Sequence, residues 1–510
     1  MNRNDTHTLL QSHSPAILIV GGGINGVGTF RDLAANGVDA LLIERGDFCS
    51  GASAASSRMA HGGIRYLENG EFRLVREAVQ ERNRMIVNAP SLVQPLPTTI
   101  PMFKLFSGLL NAPLKFLGWL DKPSERGALV IKIGLIFYDA FTGKNRLVPR
   151  HVFDGRTRSL KKYPALNPEV AFTATYYDGI ILSPERLTLE LVLDADKEGD
   201  HAMALNYVSL IGVEGHTVTL RDEVTLQTFN LQPKLIINAA GPWIDLANRT
   251  LGLQTHYIGG TKGSHLVLDN PELRQAIGDH EFFFENKDGR IVLIFPLFDK
   301  VMIGTSDIPI EDPDSVRCTE EEVDYFIEMV GRVFPDIKVS REQIVFRFSG
   351  VRPLAYTKAK NAGQITRDHH IREDKLGDIP VYSLVGGKWT SFRAFSEQVT
   401  DRALAFLGQP RKADTKSLPI GAGADAAALK TTPDYTGDEI HAMAQREKIV
   451  HLDDLLLRRT LLAYLGQLNR PLVEQLADWL GEALGWDGKR IKDEVARAAA
   501  ILADRHQVRL

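Results

Sequence analysis

Cysteine is nearly absent: Cys49 and Cys318 are the two in 510 residues. Two thiols so far apart make no disulfide framework and no cysteine-based zinc site, and they suit a reducing compartment. No run of roughly 18 uncharged apolar residues occurs, so no membrane-spanning helix is expected. A basic excess is missing too. Lys and Arg number 60 against 64 Asp and Glu, a formal net charge of −4, which gives no overall field for nucleic acid. The first 14 residues are polar and lack an apolar core, so no secretory signal is expected. Internal repeats and sustained heptads are also lacking. What remains is a globular composition, 44% hydrophobic and 24% charged, long enough for two or three domains.

Against that background one stretch stands out. Ala16 to Val20 reads as a buried strand and runs into Gly21-Gly22-Gly23-Ile24-Asn25-Gly26. Gly21, Gly23 and Gly26 fit G-x-G-x-x-G: a tight turn, a close approach to a pyrophosphate, and close helix–strand packing. A helix from about Asn25 to Asn36 aims its free N–H groups at the phosphates, and Gly37 stops it. A second strand ends in Glu44, where an acid can bond a ribose hydroxyl. Arg45 beside it opens the option of a 2′-phosphate, which Glu44 would repel, so a free ribose is favoured. The order strand, triplet, helix, strand, acid makes this a dinucleotide site.

The chain continues with small and hydroxyl-bearing residues, including Ser53, Ser56 and Ser57, suited to lie along an extended ligand. His61-Gly62-Gly63-Ile64-Arg65-Tyr66-Leu67-Glu68 follows, two glycines flanked by cationic groups. A helix is expected over 71–88, and another from Pro184 with Ser183 as its N-cap. Leu235 to Asn238 runs into Ala239-Ala240-Gly241, a second close-approach point. Short strands lie between 262 and 305, with Asp288-Gly289 as a hairpin turn. Val381 to Val385 reaches Gly386-Gly387-Lys388-Trp389-Thr390-Ser391, glycines at a strand-to-helix corner that can hold an anion. Residues 408–436 read as a linker, and helical patterns over 438–447, 452–464, 471–484 and 491–505 make a C-terminal helical domain.

The glycine triplet, the Ser-rich loop and His61 to Glu68 resemble the FAD-dependent, quinone-linked glycerol-3-phosphate dehydrogenases, within the D-amino-acid-oxidase-like flavoproteins. The resemblance runs from about Ile17 to about Phe392 and includes Lys262 to His265, Ser349 to Leu354 and Gly386 to Ser391. It implies an α/β chain: an FAD-binding Rossmann-type domain interleaved with a mixed antiparallel-sheet cap that receives substrate. The FAD-binding parts would be about 15–90, 150–260 and 345–407, the cap parts about 91–149 and 261–344, and the helical domain 437–510.

It also implies non-covalent FAD, sn-glycerol 3-phosphate as substrate, a membrane quinone as acceptor, and peripheral attachment to the inner face of the cytoplasmic membrane; a homodimer is expected as well, the C-terminal helices serving for packing onto the core or for a dimer contact. Cofactor contacts are expected from Gly21, Gly22, Gly23, Asn25, Gly26, Glu44, Arg45, Ser53, Ser56, Ser57, His61, Gly62, Gly63, Gly241, Gly387, Lys388, Trp389 and Thr390. By resemblance Arg65, Tyr66 and Lys388 hold the substrate phosphate, with Thr390 nearby, and Arg352 and Arg367 stand nearer the reacting carbon. Arg352 is expected to stabilise an alkoxide, because a protonated guanidinium is a poor base. His265 and His61 are the candidate bases. No metal site is expected.

Residues 101–150 hold apolar clusters, Trp119 and Leu117 among them, with eight basic against three acidic residues. That mixture suits an anionic leaflet or an ordinary core helix with snorkelling lysines; the resemblance favours the leaflet. Two other functions stay open: an amine or amino-acid oxidase of the sarcosine type, and a non-catalytic flavin-bearing membrane scaffold.

Overall fold

The structure is a computed structural model and describes residues 3–64, 71–104, 128–141, 146–286, 291–357, 368–421 and 429–510. Two sheets organise it. The central sheet has six strands in the spatial order His370–Leu376, Ile379–Val385, Leu235–Asn238, Ile17–Val20, Ala40–Glu44, Ala202–Asn206. All pairings are parallel except the outer hairpin of His370–Leu376 with Ile379–Val385. Ile17, Leu18 and Ile19 are wholly buried, which explains a strand with no polar alternation: helices cover the face of Ile17 and Ile19, and a three-stranded antiparallel sheet of Val208–Glu214, Thr217–Asp222 and Thr228–Leu231 packs on the face of Leu18 and Leu41.

The helix Ile24–Ala35 buries Val27, Phe30 and Leu33 against this sheet. Its neighbour is the helix Phe392–Leu407. A Cβ on Gly28 would lie 2.6 Å from Ser396 Oγ and 2.8 Å from Phe392, so glycine is what lets the two helices touch.

The second sheet has ten strands and is mostly antiparallel. Its path runs Ile308–Pro309, Thr261–Leu268, Lys300–Gly304, Ile291–Leu297, Glu281–Glu285, Val93–Met102, Phe172–Ile181, Met59–Ala60; Ile344–Arg352 and Val152–Gly155 pair off that path. Its two faces have different fates, because successive residues of a strand point to opposite sides. One face carries Leu266, Phe282, Ile294 and Ile303 and is covered by the helix Glu320–Val333. The other face carries Val267, Phe295, Met302 and Phe346 against the C-terminal helices, and beside them His265, Gly304 and Leu293 in lateral register. This second face is the roof of the candidate site.

The expected helices over 71–88 and from Pro184 are present as Phe72–Asn88 and Pro184–Asp196, the latter with Ser183 Oγ accepting from Arg186 N–H. The expected helix 452–464 is shorter. A single turn at Leu452–Asp454 passes into a π-helical turn at Leu455–Arg459, and Thr460 is extended. The hairpin expected at Asp288-Gly289 pairs Phe282 with Ile294, while the turn itself lies outside the described residues. Both cysteines are free thiols.

Candidate functional site

Gly21 takes φ +115°, and a Cβ on it would lie 2.6 Å from Ala239 O, so the first strand and Leu235–Asn238 close tightly here. A Cβ on Gly26 would fall 2.0 Å from Gly21 O, which fixes the helix against the turn. Gly23 differs: a Cβ there meets only Ser53 Oγ, at 3.2 Å, leaving the front of the turn open. The helix start has no side-chain cap from Gly23. Ile24 N–H donates to Ser53 Oγ at 2.9 Å. Glu44 closes the ring: its Oε2 accepts from Gly22 N–H at 2.7 Å and its Oε1 from Gly46 N–H at 2.9 Å. Burial pushes the Glu44 carboxyl up, and the two N–H bonds oppose that shift.

Other segments converge on this turn. Asn25 Nδ2 donates to Gly386 O at 3.1 Å, while Asn25 Oδ1 is buried without a partner. Gly386 and Gly387 take φ +81° and +88°, and a Cβ on Gly387 would lie 2.5 Å from Asn25 Nδ2. Trp389 Nε1 donates to Ser53 O at 3.0 Å, and Thr390 Oγ1 to His61 O at 3.1 Å. Lys388, just before them, is half-buried. Ser56 Oγ accepts from Arg58 N–H at 3.2 Å. The Arg45 guanidinium lies 4.8 Å from the Trp243 ring, and Asp314 accepts from both side chains. Gly241 takes φ +57° just before Trp243.

The open Gly23 face, the positive end of a 12-residue helix and the orphaned Asn25 oxygen suit an extended dinucleotide.

The Gly62–Gly63 turn is held from above. Asp178 Oδ1 accepts from Gly62 N–H at 2.7 Å and from Tyr138 OH at 2.6 Å, and Arg82 donates to Tyr138 OH at 2.8 Å. A Cβ on Gly62 would sit 2.1 Å from the Tyr138 oxygen, so only glycine fits. Burial pushes Asp178 up, opposed by the Arg82 guanidinium.

On the roof, Arg352 stands in lateral register with Thr261. It donates to Thr305 Oγ1 at 2.8 Å and Ser306 O at 2.9 Å, and pairs with Asp307 at 3.3 Å, leaving its side chain one-quarter exposed. Gly263 makes room for it, since a Cβ there would fall 2.3 Å from the guanidinium. His265 is buried, stacked on Phe348 at 4.8 Å, with Nε2 2.8 Å from Ser57 Oγ. Burial, then the Arg352 and Arg58 charges, pull its pKa down to about 3, so the imidazole is neutral. Three strands away, Glu281 accepts from Thr98 Oγ1 at 2.9 Å, and burial lifts its carboxyl to about 8.

The structure thus brings Gly21–Gly26, Glu44, Ser53, His61–Gly63 and Gly386–Thr390 to one place, with Ser57, His265 and Arg352 along the roof. Arg65, Tyr66 and Arg367 lie outside the described residues. Sequence reasoning missed Arg82, Tyr138, Asp178 and Glu281. For Asp178 the signal available was a lone acid inside a strand, and for Glu281 an acid at the start of one; register alone turns each into a position on the roof. Among the described residues no cluster of His, Cys, Asp and Glu could hold a metal ion.

The family described as FAD dependent oxidoreductase matches residues 16–391, and the C-terminal domain of alpha-glycerophosphate oxidase matches residues 402–491. A glycerol-3-phosphate dehydrogenase of Synechocystis sp. is 36% identical over 465 residues, 87% of this chain and 79% of the relative. A D-erythritol 1-phosphate dehydrogenase of Brucella abortus is 31% identical over 454 residues, 87% of this chain and 84% of the relative. A glycerol-3-phosphate dehydrogenase from Bacillus halodurans, solved in complex with FAD, superposes with a TM-score of 0.73 at 22% identity, over 99% of this chain and 97% of that one. Profile, identity and fold agree: the chain belongs to the FAD-dependent oxidoreductases and, within them, to the glycerol-3-phosphate dehydrogenase group.

Proposed function

We propose that the protein oxidises the secondary hydroxyl of sn-glycerol 3-phosphate to dihydroxyacetone phosphate and passes the electrons to a membrane quinone. The observation that carries this is the Arg352 guanidinium, presented on the roof face in the space that Gly263 leaves for it. Bound FAD supplies the acceptor for the hydrogen leaving C2. The chain's own residues do the rest. Gly21–Gly26 and Asn25 cradle the pyrophosphate, Glu44 the ribose, and Arg45 and Gly241 border the adenosine. Ser53, Ser56, Ser57, His61–Gly63 and Gly387–Thr390 line the flavin.

Arg352 is anchored by three neighbours, so it meets a developing alkoxide without reorganising. Arg65, Tyr66 and Lys388, with Thr390 and Arg367 nearby, take the phosphate dianion, for which arginine's fork is suited. Of the two imidazoles, His265 is bonded and held neutral by burial and two cations, which favours His61 as the proton acceptor.

The membrane side rests on the helix Ala128–Phe141. Leu135 and Tyr138 face inward, while Leu129, Ile133, Ile136 and Phe137 stand 36–53% exposed along one side. No helix among the described residues is long and apolar enough to cross a membrane, and this stripe supports docking into one leaflet. The remaining expected apolar cluster, 105–127, lies outside the described residues.

The Brucella relative favours one second reading, a four-carbon polyol phosphate as substrate. Anaerobic reduction of the flavin by sn-glycerol 3-phosphate, D-erythritol phosphates, glycine and sarcosine, each alone, tests both. Fast reduction by an amine and none by a polyol phosphate would overturn them.

A further inference from the structure

The segment between Glu44 and Met59 is fastened at both ends by the C-terminal unit. At one end Asp47 is buried. Arg459 grips it with two bonds, Nη1 to Oδ2 at 2.6 Å and Nη2 to Oδ1 at 3.0 Å, and Arg458 Nε donates to Oδ2 at 2.6 Å. Asn206 adds a fourth bond at 2.9 Å. Asp454 backs this group, accepting from Arg458 and from Tyr207 OH, each at 2.6 Å. The chain beside Asp47 is the cofactor turn itself. Gly46 N–H bonds Glu44, Gly46 O accepts from Tyr207 N–H, and Cys49 N–H donates to Gly22 O at 3.0 Å.

At the other end Arg58 is wholly buried with φ +54°. Its guanidinium lies 4.2 Å from the Tyr464 ring, donates to Leu182 O and pairs with Glu185 at 3.6 Å. Tyr464 OH donates to the same carboxylate at 2.8 Å.

We propose that the C-terminal helical unit is a latch on the cofactor: Arg458, Arg459 and Tyr464 hold the loop 45–58 in its binding shape, so docking of that unit and FAD affinity are coupled. This rests on the reading of Glu44, Ser53, Ser56 and Ser57 as cofactor contacts. The physical reason is the cost of breaking the pairs. A buried carboxylate that loses its guanidinium partners must find water, and moving Asp47 to water shifts the backbone that carries Glu44 and Cys49, both bonded to Gly22. Arg458, Arg459 and Tyr464 are therefore positioning residues.

The test measures the FAD dissociation constant by quenching of flavin fluorescence in Asp47→Asn, Arg459→Gln and their double variant, with circular dichroism as the check on folding. The latch predicts at least tenfold weaker binding in each single variant and no further loss in the double. Glu474→Gln, on the outer side of the helix Arg470–Leu484, should bind FAD as the parent does. A folded Arg459→Gln that keeps the parent affinity within twofold would overturn the proposal. If the variants fail to fold, hydrogen exchange on the unaltered protein decides: FAD should slow exchange over 452–465, and protection confined to 21–57 and 386–391 would overturn the latch. Gly23→Val separates the two levels. If it still binds FAD, the loop reading fails; if it loses FAD while Arg459→Gln retains it, only the coupling fails.

Discussion

At the scale of single residues, Arg352 and Glu281 lead to opposite kinds of experiment. Arg352→Ala removes a charge-assisted contact of about 1.5–3 kcal/mol. Because an alkoxide exists only on the way to product, the loss should appear as flavin reduction slowed by roughly 10- to 100-fold at saturating substrate, with KM little changed. Arg352→Lys should recover part of it, since a point charge lacks the fork. Stopped-flow reduction at the parent rate would refute the role. The same substitution removes one of the two cations that depress His265, so the imidazole pKa should rise from about 3, an effect visible by NMR titration.

Glu281 concerns stability. Its carboxyl is at about 8 when folded and near the usual carboxylate range, about 4.5, when unfolded. The folded state therefore keeps a proton that the unfolded state gives up, and stability falls as pH rises across that window, by at most about 1.4 kcal/mol per unit. His265 acts the other way: folded at about 3 against 6.5 unfolded, it costs stability as pH falls below 6.5. The two slopes oppose between 4.5 and 6.5. Glu281→Gln should then gain on the parent between pH 6.5 and 8 in denaturant titrations. Parallel curves over that range would mean the proton is not held.

At the scale of elements, neighbouring glycines of one turn should separate binding from folding. Gly23→Val adds bulk on the open side and should abolish FAD retention with the fold intact. Gly26→Ala forces a methyl to within 2.0 Å of Gly21 O and should destabilise the whole domain, read as a lower melting temperature without ligand. The helix Ala128–Phe141 is divided the same way. Ile133→Asp with Phe137→Asp, on its exposed side, should prevent sedimentation with anionic vesicles while dye-linked turnover persists, and high salt should release the parent only in part. Unchanged sedimentation would remove this helix from the membrane contact.

Elements were legible where one segment carries its own signal: Ser183 and Pro184 start a helix, and Ile17 to Glu44 spells strand, glycine turn, helix and strand. The helix over 452–464 was overread because its apolar spacing continues past Arg459. The chain instead opens into a π-turn that delivers Arg458 and Arg459 to Asp47, a partner 412 residues away from Arg459 that no local pattern records. Asp178 and Glu281 stayed hidden for a similar reason. Asp178 lies within a strand and Glu281 at the start of one, and only lateral register sets the first over Gly62 and the second beside Thr98.

At the scale of the whole molecule, three bodies meet around one turn: the parallel sheet supplies the glycines and Glu44, the ten-stranded sheet roofs them with Arg352 and His265, and the C-terminal helices hold the loop between. Membership of the FAD-dependent glycerol-3-phosphate dehydrogenase group gives this arrangement its chemistry. The most direct measurement is anaerobic stopped-flow absorbance of the FAD-loaded protein mixed with sn-glycerol 3-phosphate, against unphosphorylated glycerol and sarcosine. Rapid, complete loss of the oxidised flavin band is expected with the phosphate ester, and slow or no change with the other two. Equal rates with glycerol, or reduction by sarcosine alone, would contradict it.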